Sequence, residues 1–274
     1  MTRSLVAAAA VALTALSGAG QSAGQSAGQS VGQETAPAGE DWDLIRDAKT
    51  RTTLAYVTTT PGLSIAMRCV KGSYSALLVG LPEATRGAKT RPLQIAFRDE
   101  EQKEWRFNVT TNRTGAVADF PAPLARELRQ GGRLQIVVPD GAAPGRNLRY
   151  DLNLPGSGAA IDETLRACDR PLVDPRDQEL DAIGEDGLQV GMRWDRQIRP
   201  RYPVNNYAEG FAVTTCVAQP DGKLRDCVIE TEHPADGRFG GAVLDAVRSA
   251  TVAYDGDQPS APRMMAFRVN FVMR

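Results

Sequence analysis

Phe211-Ala212-Val213-Thr214-Thr215-Cys216-Val217-Ala218-Gln219-Pro220-Asp221-Gly222-Lys223-Leu224-Arg225-Asp226-Cys227-Val228-Ile229-Glu230 decides how the C-terminal part of this chain folds. Phe211, Val213, Thr215 and Val217 recur at every second position, the period at which strand side chains return to one face. Gln219-Pro220-Asp221-Gly222-Lys223 then reads as a reversal. Its Pro presets φ near about −65° and its Gly accepts a positive φ. Leu224, Asp226, Val228 and Glu230, with Cys227 and Ile229 between them, form the returning strand, and His233-Pro234 breaks it. Beyond the break, Phe239, Ala242, Val243, Ala246 and Val247 make one helical stripe at three- and four-residue spacing. Gly256 and Pro259 close that region, and Met265, Phe267, Val269, Phe271 and Met273 alternate again as a last strand. The expected unit is a three-stranded antiparallel sheet with one packed helix.

Two registers are open for the hairpin. A two-residue Asp221-Gly222 turn sets Cys216 opposite Cys227, within disulfide reach. A three-residue loop, 220–222, with a bulge moves the pairing by one position and turns the sulfurs to opposite faces. The first is favoured, because two free thiols in an exported hairpin would be a liability.

Upstream, between residues 41 and 170, short apolar segments alternate with turn clusters. Leu63, Ile65 and Met67 run with period two into Cys69, and residues 74–81 form a strand bounded by Gly72 and Pro82. Residues 93–98 and 105–110 pair across the charged turn 99–103, and residues 134–138 and 148–154 pair around 141–145. This spacing predicts a small antiparallel β-sandwich. A helix at 121–130 carries Leu124 and Leu128 on one face and stops at Gly131-Gly132; another, at 158–167, returns Cys168 to the body. Residues 171–196, rich in Asp, Arg and Pro, are expected as an exposed linker to the domain at 197–274. The overall class is α+β.

Residues 1–20 read as a signal peptide: Arg3, an apolar run over 5–16, then small residues. The run is shorter than the roughly 20 residues that span a bilayer. An uncleaved inner-membrane anchor is the alternative to a cleaved, periplasmic product. Residues 21–40 repeat Gly-Gln-Ser-Ala and read as a flexible linker. Cys69, Cys168, Cys216 and Cys227 are an even set in an exported chain, which favours disulfides over metal ligands. Three pairings are possible; the two local to each domain, Cys69–Cys168 and Cys216–Cys227, are favoured.

Acidic and basic residues nearly balance, 33 against 32, and are interspersed, so no field draws the chain to nucleic acid or an acidic membrane. Asp99-Glu100-Glu101 lacks the spacing of a calcium loop and reads as a solvated turn. Asn108 and Asn112 match a glycosylation sequon but read as strand and turn residues, and Trp42 and Trp105 as core or core edge. His233, the single histidine, has no metal or triad partner near it and reads as a bend residue. No catalytic residue, metal ligand or cofactor is expected.

Pro200-Arg201-Tyr202-Pro203, Gly210, Asp221-Gly222, the run Phe239, Ala242, Ala246-Val247-Arg248, and the last strand stand in the order of a TonB family C-terminal domain, which residues 197–274 resemble along their whole length. Many exported members also carry a Cys in each hairpin strand. Leu63-x-Ile65-x-x-Arg68-Cys69, with Gly158-Ala159-Ala160-Ile161 and Leu165-Arg166-Ala167-Cys168, is similar to exported β-sandwich domains of the invasion-associated and type VI accessory kind. The first resemblance implies a module without an active site that binds a partner's extended segment in envelope transport. By that resemblance the partner-binding residues are Tyr202, Pro203, Met265, Phe267, Arg268, Val269, Asn270 and Phe271. The implied partner is a segment of a TonB-dependent outer-membrane receptor. The alternative is a structural envelope protein whose C-terminal domain forms a homodimer. Two departures stand against energy transduction: where the family helix usually ends in a Trp or Phe with basic neighbours, the run here is Ser249-Ala250-Thr251-Val252-Ala253-Tyr254, and a signal-like segment, a Gly/Gln/Ser tract and a folded domain replace the transmembrane N-terminus and long stalk.

Overall fold

The structure is a computed structural model; it describes residues 41–59, 62–256 and 259–273. The expected signal peptide and Gly/Gln/Ser tract lie outside the described residues.

The first domain comprises β1 (Asp43–Asp47), β2 (Thr52–Thr58), β3 (Ser64–Val70), β4 (Ser73–Val79), β5 (Thr90–Phe97), β6 (Lys103–Val109), β7 (Gly115–Ala118), α1 (Pro121–Leu128), β8 (Gly132–Ala143), β9 (Arg146–Leu154) and α2 (Ala159–Ala167). Period-two alternation is literal in β3, where Ile65, Met67 and Cys69 are buried and their neighbours half-exposed. Leu93, Ile95 and Phe97 on β5, Leu134, Ile136 and Val138 on β8, and Tyr150, Leu152 and Leu154 on β9 join the same apolar core.

The expected two-sheet sandwich is corrected to one continuous antiparallel sheet of nine strands, ordered β1-β2-β3-β4-β7-β6-β5-β8-β9. The short β7 bonds to both β4 and β6, so the ladder runs unbroken where a sandwich would part. The sheet curls around its core. Tyr150, on the edge strand β9, reaches the Gly80 carbonyl just after β4 with its hydroxyl, at 3.5 Å. α2 packs on β2 and β3, and its Thr164 Oγ1 shares a buried hydrogen bond of 2.9 Å with Tyr74 Oη of β4. The Cys69–Cys168 disulfide, with Cα atoms 5.6 Å apart, ties the end of α2 to β3.

Residues 171–196 are not a free linker. They contain a 3-10 helix, Pro175–Ala182, and β10 (Met192–Arg196). Arg126 of α1, nearly buried, donates to both carboxylate oxygens of Asp177, at 2.5 and 2.7 Å, and to the Pro171 carbonyl. This fork of charge-assisted bonds holds the connector against the first domain.

The C-terminal domain adds β11 (Glu209–Ala218), β12 (Leu224–His233), α3 (Phe239–Val247), β13 (Thr251–Tyr254) and β14 (Arg263–Val272). The expected three-stranded antiparallel sheet is present, in the order β12-β11-β14, with β11 central. α3 covers one face, where Phe239, Val243 and Val247 pack with Ala212, Cys216, Met265 and Phe271. Glu232 of β12 accepts the Gly240 N–H at 2.8 Å, satisfying one of the orphan donors at the start of α3. The run after α3 is a strand, β13, which pairs with β10 in a separate two-stranded sheet.

The hairpin departs from the favoured register. Gln219 N–H donates to Lys223 O at 2.9 Å, and Gly222 N–H donates to Gln219 O at 2.8 Å, so the loop holds three residues, 220–222. Gly222 has φ +79°, and a Cβ there would overlap the Val252 carbonyl. From Ala218↔Leu224 and Val217↔Arg225, this register alone would separate the cysteines. Asp226, at φ 47°, is an extra residue that shifts the pairing by one, to Thr215↔Val228. Cys216 and Cys227 are thereby brought to a Cα separation of 4.1 Å and bonded.

Candidate functional site: an open strand edge in an interdomain cleft

The eight residues expected to bind a partner divide into three groups. Tyr202 is half-buried and packs against the core. Its ring lies edge-on to Phe239 and Phe271, at 5.8 and 5.9 Å, and its hydroxyl donates to the Tyr207 carbonyl at 2.6 Å. Pro203 lies beside α3, in a shallow pocket with Arg199, Arg201 and Arg238. The other six are on β14, where alternation separates them. Met265, Phe267, Val269 and Phe271 point into the helix-side core, so these side chains are spent on packing. Arg268 and Asn270 point to the opposite face.

That opposite face is turned to the first domain. Phe211, Val213 and Thr215 are at most 7% exposed, yet they are not part of the helix-side core. β12 lies against β4 and α1, and β14 lies against the 3-10 helix. Arg170 donates to the Ile229 carbonyl, and Lys89 pairs with Glu209 at 2.7 Å. The Arg268 guanidinium stacks 4.4 Å above the Phe211 ring, and its Nη1 lies 3.4 Å from Asp119 Oδ1. Asn108 donates to the same carboxylate at 2.7 Å. Burial raises the Asp119 carboxyl above its usual range, against the pull of Arg268 and Asn108. Burial also lowers the Arg268 guanidinium, with Asp119 opposing. Desolvation therefore outweighs this long ion pair in both partners.

β14 is an edge strand whose only ladder partner among the described residues is β11. Its outer side is covered at one end. Met264 N–H donates to Glu179 at 3.3 Å, and Ala266 N–H donates to the Gly187 carbonyl at 2.9 Å. Gly187 approaches so closely that a Cβ would overlap the Ala266 carbonyl. N–H and C=O groups of alternate residues point the same way along a strand. With Met264 and Ala266 directed outward, the backbone groups of Arg268, Asn270 and Val272 are directed outward too. Arg268 and Asn270 line a cleft of about 870 Å³ between β14 and the first domain. Trp105, Arg106, Asp119 and Phe120 form its far wall, and Trp194, Ile198 and Pro200 flank β14.

What the sequence could not show is that the edge opens into a walled cleft and that residue 187 already fills its first rung. The wall comes from β5–β6 and the connector, more than 80 residues away in sequence from β14 for the connector's Glu179. His233 ends β12 with its ring stacked on Phe211 at 5.9 Å. Asn108 is buried within β6, whereas Asn112 lies exposed in a turn. Trp42 is buried, and Trp105 packs edge-on against Phe97 at 6.0 Å. Among the described residues, no group of His, Cys, Asp and Glu could hold a metal ion, and no helix is long and apolar enough to cross a membrane. No family model matches the sequence, and no curated protein matches it.

Proposed function

We propose that this chain is an exported, periplasmic binding protein whose C-terminal domain takes up an extended segment of a protein partner by strand addition, as its resemblance to TonB C-terminal domains implies. The observation that supports this reading most directly is the outer edge of β14, where by alternation Arg268, Asn270 and Val272 turn backbone donors and acceptors outward and where Arg268 and Asn270 line the cleft. Unpaired edge groups are a template for another strand. The disulfides fit an oxidising compartment. A TonB-dependent outer-membrane receptor segment is the partner the resemblance suggests.

The second reading is a homodimer through the same edge. Val272 and Met273 favour it, since they are 62% and 56% exposed at the end of β14. One titration separates the two. Peptides from the periplasmic N-terminal segments of outer-membrane receptors are added to the full chain, and Trp fluorescence is read. Trp105 and Trp194 line the cleft, so a bound segment changes their emission. Saturable binding, with slowed hydrogen exchange at Arg268 and Asn270, is expected. A stable dimer by light scattering that admits no peptide would reverse the order of the two readings.

A further inference from the structure

The lining of the cleft is strongly biased in charge, although the chain as a whole is nearly neutral. Nine carboxylate side chains and three basic ones line it, against 33 and 32 in the whole sequence. Several of these acids are neutralised locally: Asp181 by Lys103, Asp119 by Arg268, and Asp177 by Arg126. Glu101, Glu104, Glu185 and Asp186 have no cationic partner among the described residues, and all are exposed. Two of the three lining bases, Lys103 and Arg268, are already engaged, which leaves Arg106. The free charge is therefore negative.

Its placement relative to the open edge matters as much as its sign. Glu185 and Asp186 immediately precede Gly187, which occupies the rung next to Arg268, so they stand at one end of the open stretch. Glu101 and Glu104 belong to the β5–β6 hairpin on the far wall, facing the side of β14 that carries Arg268 and Asn270. On the other side of β14 the lining is apolar: Trp194, Ile198 and Pro200. A strand laid along Arg268, Asn270 and Val272 sends alternate side chains to these two sides. At roughly 3.4 Å per residue, the five positions 268–272 give a site about 17 Å long.

We infer that the occupant of this cleft is a cationic extended segment in which Lys or Arg alternates with apolar residues over about five positions. The basic side chains meet Glu101, Glu104 and the Glu185-Asp186 pair; the apolar ones meet Trp194, Ile198 and Pro200. This rests on the strand-addition reading and adds the partner's chemistry to it. Opposite charge across the cleft steers encounter and makes binding salt-dependent, because exposed charges are screened beyond about 10 Å at 0.1 M salt.

The test uses the full chain and two capped peptides, Lys-Val-Lys-Val-Lys and Glu-Val-Glu-Val-Glu, with Trp fluorescence as the readout. The cationic peptide is expected to bind at least tenfold tighter than the acidic one. Its affinity should fall several-fold when salt is raised from 50 to 500 mM, and about fivefold or more in the triple variant E101Q/E104Q/E185Q. Backbone N-methylation of the peptide should abolish binding, and Asn270→Pro in the protein should weaken it, with the variant's fold checked by circular dichroism. Equal affinity for the two peptides, with N-methylation still abolishing it, overturns the charge inference and leaves strand addition standing. Binding indifferent to N-methylation, no binding of either peptide, or a self-associated edge that excludes both overturns strand addition and this inference with it.

Discussion

His233 ends β12 with its ring against Phe211, and burial, assisted by nearby Arg68, pushes its imidazolium below the ordinary value near 6.5. The unfolded chain therefore takes up this proton before the folded one does. The contribution to stability is complete above about pH 6.5 and is lost as the pH falls below it. Between pH 7.5 and pH 5.5 the urea midpoint of the wild-type chain should fall more than that of His233→Gln, which has nothing to titrate there. Equal falls would show that the folded state holds the imidazolium as readily as water does. Asp119 works in the opposite sense. Its carboxyl is raised by burial, so its ionised form costs stability as the pH rises past the ordinary carboxylate range. Such a residue is kept in place by the network around it, here Asn108 and Arg268, rather than by its own preference.

Among the elements, the β11–β12 hairpin shows two local irregularities that cancel. The three-residue loop moves the pairing by one position, and Asp226 in the left-handed region moves it back, so that the sulfurs meet. Asp tolerates that conformation better than most residues, and a β-branched side chain does not. Asp226→Val should lower stability by about 1–2 kcal/mol, whereas Asp226→Gly should stay within about 0.5 kcal/mol of wild type. Urea titration of both variants checks this, and a neutral Val would mean the bulge relaxes without strain. β14 offers the complementary pair. The Asn270 N–H points to the open edge, while the Val269 N–H points to β11, opposite Ala212. Asn270→Pro should therefore leave the thermal midpoint nearly unchanged and weaken partner binding. Val269→Pro removes a ladder bond inside the sheet and should cost about 2 kcal/mol or more. Equal destabilisation by the two would mean that the edge is not free.

Across the whole molecule, each domain keeps its own apolar core, and the two are joined through the second face of the small sheet. Covering that face protects Phe211, Val213 and Ala266 from water and leaves one stretch of β14 exposed beside the cleft. The disulfides act within each domain. Cys69–Cys168 closes a span of 99 residues and Cys216–Cys227 one of 11. In the chain-entropy model these are worth about 4–5 and about 3 kcal/mol respectively. Cys69→Ser with Cys168→Ser should therefore destabilise the chain more than the corresponding hairpin pair, as read by denaturant midpoints. Peptide mapping without reductant should recover one linked pair from each domain; a crossed pair would contradict the packing of α2 on β3.

Local alternation was enough to locate β3, β5, β6, β8 and β9, the helical stripe at Phe239, Ala242, Val243 and Ala246, and the inward residues of β14. Each is set by neighbours two to four positions away, which repeat distances record. β7 escaped because Gly115-Ala116-Val117-Ala118 is small and buried throughout, so it has no alternating signature. β1 and β2 carry no strict alternation of buried and exposed positions, although Thr52, Tyr56 and Val57 suit a strand, and β10 and β13 are each too short to show a period. The sequence by itself determined which side chains avoid water, the turn residues, and an even set of cysteines whose local pairing the structure bears out. Only the tertiary structure decided that nine strands join in one curled sheet, that Asp226 restores the hairpin register, and that the connector caps half of β14. Periodicity reports that a surface must be buried, whereas the choice of what buries it is made between segments far apart in the chain, by hydrogen-bond closure and shape.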